Sequence, residues 1–287
     1  MSQKEWRGKI LEQRIRNRKD YMQGPKSSPQ QWQTYVDLFK AFLNDKKAPV
    51  VLVLGSTPEL RDLALSYPAV ELLTVDINPG MVEQMSKLMA NQNSPRETFI
   101  PSDWLNMPIS DNGVDLIVGD GAIANLPAGQ FDNFFQQARR IVKPDGFLIL
   151  RDGVRIKELI SPPEKIIEQS RQDNWHWFDL FSYLDFSSTG DWYDEKTNQA
   201  DMARWYQWVE EKYRQGILND DEFSNLWPWR GNLVHTILPV NIFSKIFSKY
   251  FKTIKVNQPN DLRYHKFINF FVGQPKKQIW KNIPKKE

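Results

Sequence analysis

Pro49-Val50-Val51-Leu52-Val53-Leu54-Gly55-Ser56-Thr57-Pro58-Glu59 decides the architecture. A short continuous apolar run ending in glycine reads as a strand buried on both faces. The turn after it leads into a short helix over residues 59–66, whose free amides and positive dipole end suit an anionic or carboxylate-bearing ligand. The next apolar run, residues 69–76, ends in Asp76, 21 residues beyond Gly55. An acid at that spacing accepts hydrogen bonds from a ribose diol.

Further out the alternation continues. Residues 79–91 read as a helix, 98–101 as a short strand and 114–120 as a buried strand. Residues 131–142 read as a helix closed by Lys143-Pro144-Asp145-Gly146, and 147–152 as a fifth strand. Strands alternating with helices at this spacing imply right-handed crossovers and a doubly wound parallel sheet in an α/β fold. Ligands in such sheets sit beyond the carboxyl ends of the strands, so the residues following each strand carry the information. After the third strand, Asp103 and Trp104 offer a carboxylate beside a flat ring, suited to the edge and face of adenine. After the fourth, Gly119-Asp120-Gly121 lets a ligand approach the backbone. Upstream, an apolar stripe of Trp6, Ile10, Leu11 and Ile15 predicts a first helix over residues 1–20, and Ser28 caps a second over 28–44.

Composition removes other classes. The 287 residues contain no Cys, which excludes disulfides, cysteine nucleophiles and thiolate metal sites. Three scattered His residues argue against a zinc centre, and no metal is expected. The net charge of +3 hides basic ends, +8 over residues 1–20 and 276–287 together, around a body of about −5. Nucleic-acid binding wants a basic face interleaved with aromatics, whereas here the aromatic-rich stretch is acidic. Without an 18-residue apolar run or an apolar leader, the expectation is a cytoplasmic protein with no membrane partner. A nicotinamide-dependent dehydrogenase would want Gly-x-Gly-x-x-Gly after the first strand, and both later glycines are missing.

On Val51-Leu52-Val53-Leu54-Gly55-Ser56-Thr57-Pro58, Leu73-Thr74-Val75-Asp76-Ile77-Asn78-Pro79-Gly80-Met81, Ser102-Asp103-Trp104 and Val114-Asp115-Leu116-Ile117-Val118-Gly119-Asp120, the chain resembles the class I S-adenosylmethionine-dependent methyltransferases. The resemblance implies a seven-stranded, mostly parallel, Rossmann-like sheet. Its last helix would be residues 240–250 and its last strands 253–256 and 267–272, the final one antiparallel. It also implies S-adenosylmethionine as cofactor. Gly55, Ser56 and Thr57 would line the methionine part, Asp76 would hold the ribose hydroxyls with Ile77 against the adenine, and Met81 would be a further cofactor-binding residue. Asp103 and Trp104 would meet the adenine, Asp120 and Gly121 would flank the sulfonium and acceptor, and Tyr21 would close over the cofactor. The chain departs from the family pattern at Val53, Thr57 and Glu59, where the family carries an acid and two glycines. That departure leaves a catalytically silent cofactor-binding or scaffold homologue as the alternative.

The expected organisation is a cap of N-terminal helices over 1–47, a cofactor-binding domain over 48–153 and 239–275, a helical insertion over 154–238 acting as a substrate lid, and a basic tail over 276–287. The insertion holds seven of the 11 Trp, and residues 191–222 carry nine acids against four bases. It therefore reads as an aromatic, mildly acidic wall for a small-molecule acceptor that is neutral or cationic. Methyl transfer to an oxygen or nitrogen needs mostly alignment, with a base for a hydroxyl acceptor. His176 and His235, with Asp120, are the candidate catalytic residues. No base-amine methyltransferase segment, Asn/Asp-Pro-Pro-Tyr/Phe, follows the fourth strand, which further disfavours RNA or DNA as acceptor.

Overall fold

The computed structural model describes residues 27–226 and 233–277. The helix expected over 1–20, Tyr21, Trp227, Trp229 and most of the basic tail lie outside the described residues.

Helix α1 (Pro29–Leu43) begins with a capping box, Ser28 accepting from the Gln31 amide while the Gln31 side chain accepts from the Ser28 amide. The alternating section then runs β1 (Val50–Leu54), α2 (Pro58–Leu65), β2 (Glu71–Asp76), α3 (Pro79–Ser86), β3 (Glu97–Pro101), β4 (Val114–Asp120), α4 (Phe131–Ile141) and β5 (Val142–Gly153). The strand order in the main sheet is β3-β2-β1-β4-β5-β10-β9, where β9 is Phe251–Ile254 and β10 is Ile268–Pro275. Strand β10 is antiparallel to both neighbours, and the other pairings are parallel. The expected seven-stranded, mostly parallel α/β sheet is present.

The continuous apolar run of β1 has a direct physical cause. Leu52 and Leu54 point into a core built with α4 and α9 (Val240–Tyr250), among Phe131, Phe135, Phe243 and Phe247. Val51 and Val53 point into the opposite core, among Tyr35, Phe39, Leu60 and Ala64 of α1 and α2. A strand covered on both faces has no position for a polar residue. Strand β5 starts earlier than the turn residues 143–146 suggest, because Val142 pairs with Val114 before a register shift leads into the Leu116–Phe147 pairing.

The insertion is not purely helical as expected. Helices α5 (Pro163–Gln172), α6 (Trp177–Ser187), α7 (Met202–Arg214) and α8 (Asp220–Leu226) are joined by a small antiparallel sheet of β6 (Tyr193–Asp194), β7 (Gln199–Asp201) and β8 (Val234–Thr236), in that order. Its tryptophans build a core of its own. Trp192 and Trp205 are fully buried, edge to face with centroids 4.8 Å apart, and Trp208 packs beside them. Four helices and one small sheet packed around a separate apolar centre explain the aromatic surplus better than a pocket wall does.

Candidate active site

The ends of the strands assemble the site in two halves. In the first, Gly55 leaves β1 with φ of +84°, a conformation that glycine adopts without strain, and donates its amide to the Val75 carbonyl at 2.8 Å. A Cβ at Gly55 would lie 3.6 Å from Trp104 and 4.0 Å from the Asp76 carboxylate. Gly55, Asp76 and Trp104 therefore share one shelf at the carboxyl end of β1 and β2. Asp76 is 4% exposed, and its Oδ1 accepts the Asn78 amide at 2.8 Å. The Trp104 indole donates to the Val75 carbonyl at 2.8 Å, which lays the ring across the shelf. Asp103 accepts the Leu105 amide, Ser56 is buried and Ile77 half-buried.

The second half is a cavity of about 530 Å³ between the sheet and the insertion. Thr57, Asp120 and Gly121 line its sheet side, and Phe178, Phe181, Phe186 and His235 its insertion side. Gly121 has φ of +58°, and a Cβ there would meet nothing within 4 Å, so the backbone faces open space. Arg151 holds Asp120 through Nε at 2.8 Å and also donates to Gln31 of α1, while the Ser27 hydroxyl donates to the other oxygen of Asp120 at 3.4 Å. Burial alone would lower the Arg151 pKa, but neighbouring Asp120 outweighs it and the guanidinium stays charged. Across the cavity, His235 Nε2 lies 3.1 Å from Asp185 Oδ2. Burial disfavours the imidazolium, yet the Asp185 carboxylate outweighs burial and raises the His235 pKa above its ordinary value. Strand β8 is fixed to the sheet side by Thr236, whose hydroxyl donates to the Leu126 carbonyl at 2.6 Å.

Of the residues expected at the site, His176 lies outside the cavity wall and Met81 is turned into an apolar contact. His176 is exposed at the start of α6, where Nδ1 accepts the Phe178 amide at 3.3 Å; it caps a helix and is not part of the cavity wall. Met81 is buried against Met85, with Leu233 of the insertion packed on them, because its position on α3 turns it into an apolar contact. The five described tryptophans of the insertion are also absent from the cavity lining, which takes Phe178, Phe181 and Phe186 instead. The residues that sequence reasoning did not single out are Arg151, Asp152 and Asp185, all in the cavity wall. Arg151 and Asp152 stand at the carboxyl end of the fifth strand, and the strand-end rule points to them. Asp185 sits on a helix of the insertion, and nothing local marks it. Among the described residues no group of three or more His, Asp or Glu is arranged to hold a metal ion. No helix among them is long and apolar enough to cross a membrane.

The sequence matches the methyltransferase domain family over residues 51–213, more than half of the chain. No curated protein matches it in sequence. The fold is similar to that of the PH0226 protein from Pyrococcus horikoshii OT3, with a TM-score of 0.54 at 13% identity over 90% of this chain and 99% of that one. The N-methyltransferase NodS from Bradyrhizobium japonicum WM9, solved with S-adenosyl-L-homocysteine, is a more distant likeness, with a TM-score of 0.49 at 10% identity over 88% and 90% of the two chains. The chain belongs to the methyltransferase domain family and is a class I S-adenosylmethionine-dependent methyltransferase.

Proposed function

We propose that this methyltransferase acts on a nitrogen or oxygen atom of a small-molecule acceptor held in the cavity between the sheet and the insertion. The observation that carries the reading is the continuity of one cavity from Thr57, Asp120 and Gly121 to Phe178, Phe181, Phe186 and His235. S-adenosylmethionine supplies, when bound, a methyl group already activated on a sulfonium.

The chain's own residues fit that cofactor. The side-chain-free face of Gly55, bordered by Asp76 and Trp104, is a cradle that any Cβ would narrow. Asp76 would receive the ribose hydroxyls, with Ile77, Asp103 and Trp104 around the adenine. Gly55, Ser56 and Thr57 would hold the methionine part. Asp120, fixed by Arg151 and Ser27, and Gly121 would border the reacting centre on the cavity side. Alignment in such a site supplies most of the acceleration of an in-line displacement. His235, oriented by Asp185, is the group at the cavity wall suited to take a proton from an acceptor hydroxyl or amine. Glu59 and three aspartates in the wall of a cavity lined on one side by phenylalanines support a compact acceptor over a nucleic-acid strand.

Calorimetry with S-adenosylhomocysteine, followed by transfer of a labelled methyl group to a panel of small amines and alcohols, tests this reading. Binding together with turnover on at least one acceptor is the expected result. Binding without turnover on any acceptor would favour the silent homologue, motivated by Val53, Thr57 and Glu59.

A further inference from the structure

The charges around the cavity do not balance. Asp120 is matched by Arg151 at 2.8 Å, and Asp185 has His235 Nε2 as a hydrogen-bond partner at 3.1 Å. Asp152, at the carboxyl end of β5, lines the same cavity, is 2% exposed, and has no hydrogen-bond partner on either oxygen among the described residues. The amides of Ala124 and Ile123 face the carboxylate and favour its charged form, although neither meets hydrogen-bond geometry, and no side chain donates to it among the described residues. Its neighbour Arg151 is taken by Asp120 and Gln31. Asp185 Oδ1 and His235 Nδ1 are likewise buried without partners.

A buried carboxylate without a partner is costly, whereas the same group with a donor supplied by a ligand is stabilised by a charge-assisted hydrogen bond. Beside Asp152 the wall is aromatic, with Trp32 from α1 and Phe178, Phe181 and Phe186 from the insertion. Aromatic faces around a single unmatched carboxylate suit an organic cation with an apolar body. We propose that Asp152 is the anchor for the acceptor, and that the acceptor carries an ammonium group on a small apolar body. This rests on the cavity being the acceptor pocket, as argued above. Asp152 acts here as a binding and specificity residue. Burial, with Asp120 adding to it, pushes the Asp152 carboxyl well above its ordinary range, the direction expected of a carboxylate that lacks a cation beside it.

Three probes of similar size separate the possibilities: phenethylamine, 2-phenylethanol and 3-phenylpropionate, titrated into the full chain with and without S-adenosylhomocysteine. Phenethylamine should bind at least about tenfold more tightly than 2-phenylethanol, as a charged hydrogen bond adds to the shared ring contacts, and 3-phenylpropionate should bind least. Asp152→Asn should bring the amine-to-alcohol ratio close to one while S-adenosylhomocysteine still binds. Equal affinity of the wild type for amine and alcohol, or a preference that survives Asp152→Asn, would overturn the proposal. Failure of S-adenosylhomocysteine to bind would instead overturn the cofactor reading, because the amine preference measured without it decides the anchor separately.

Discussion

The two halves of the site are built by opposite means. On the cofactor shelf, Gly55, Asp76 and Trp104 are joined by short-range geometry, and their polar atoms meet backbone partners: Asp76 accepts from Asn78, and Trp104 donates to Val75. In the acceptor cavity, Asp152, Asp185 and His235 keep buried atoms without partners among the described residues. A shelf that is complete before ligand binds suits a component common to every turnover, while unmatched groups in a pocket define what a variable partner must bring. On the proposed reading, the cofactor would meet a shelf whose polar groups are already held by the backbone, and the acceptor would be selected by charge.

Substitutions in the two regions can separate them, beginning with the largest effect. Trp205→Ala removes a wholly buried ring from the insertion's own core and should cost about 3–5 kcal/mol, read as a lower midpoint in urea unfolding. If the halves are independent, S-adenosylhomocysteine affinity of the folded variant should stay near wild type; a loss as large as that from Asp76→Ala would show one cooperative site. Asp76→Ala should weaken S-adenosylhomocysteine by roughly 10- to 100-fold, the effect of losing a charged hydrogen-bond partner, and leave binding of phenethylamine unchanged.

A pair of buried aspartates sharpens the contrast through pH. Burial raises the Asp115 carboxyl, but hydrogen bonds from Lys143, the Val50 amide and Lys46 outweigh it, and its pKa is lowered from 3.8. Asp115 therefore stabilises the fold above the ordinary carboxylate range, and that contribution is lost as pH falls through its lowered folded value. Asp152 has the opposite sign. Its folded pKa is raised, so the unfolded chain releases the proton first and stability falls as pH climbs above 3.8 toward the folded value. Asp152→Asn should accordingly raise stability at neutral pH by on the order of 1 kcal/mol, since a neutral amide is less costly to bury. The gain should shrink toward pH 4 in thermal melts, and a gain independent of pH would contradict the assignment. The smallest effect is expected at His176→Ala, which removes a helix cap worth about 0.5 kcal/mol and should leave methyl transfer unchanged.

The sheet was legible in the sequence because its evidence is local. The run Val50–Leu54, the glycine after it and the acid 21 residues on sit in consecutive elements, and one strand's burial on two faces suffices to identify it. The acceptor cavity depends on contacts distant in sequence, as in the Asp185–His235 pair at a separation of 50 residues. No periodicity records such a pair. The tryptophan surplus misdirected for a related reason: composition shows that aromatic residues concentrate in the insertion, but only packing separates Trp192 and Trp205, which hold it together, from Phe178, Phe181 and Phe186, which face the cavity. His176 was drawn in by chemistry without position, and its place as the N-cap before a helix assigns it to capping.

The most direct test of the account is a crystal structure with S-adenosylhomocysteine bound. The ribose hydroxyls are expected on Asp76, the adenosine along the Gly55–Trp104 shelf, and the sulfur beside Asp120 and Gly121, opening on the cavity that contains Asp152 and His235. A ligand bound away from Asp76, or a sulfur separated from that cavity by the protein, would contradict it.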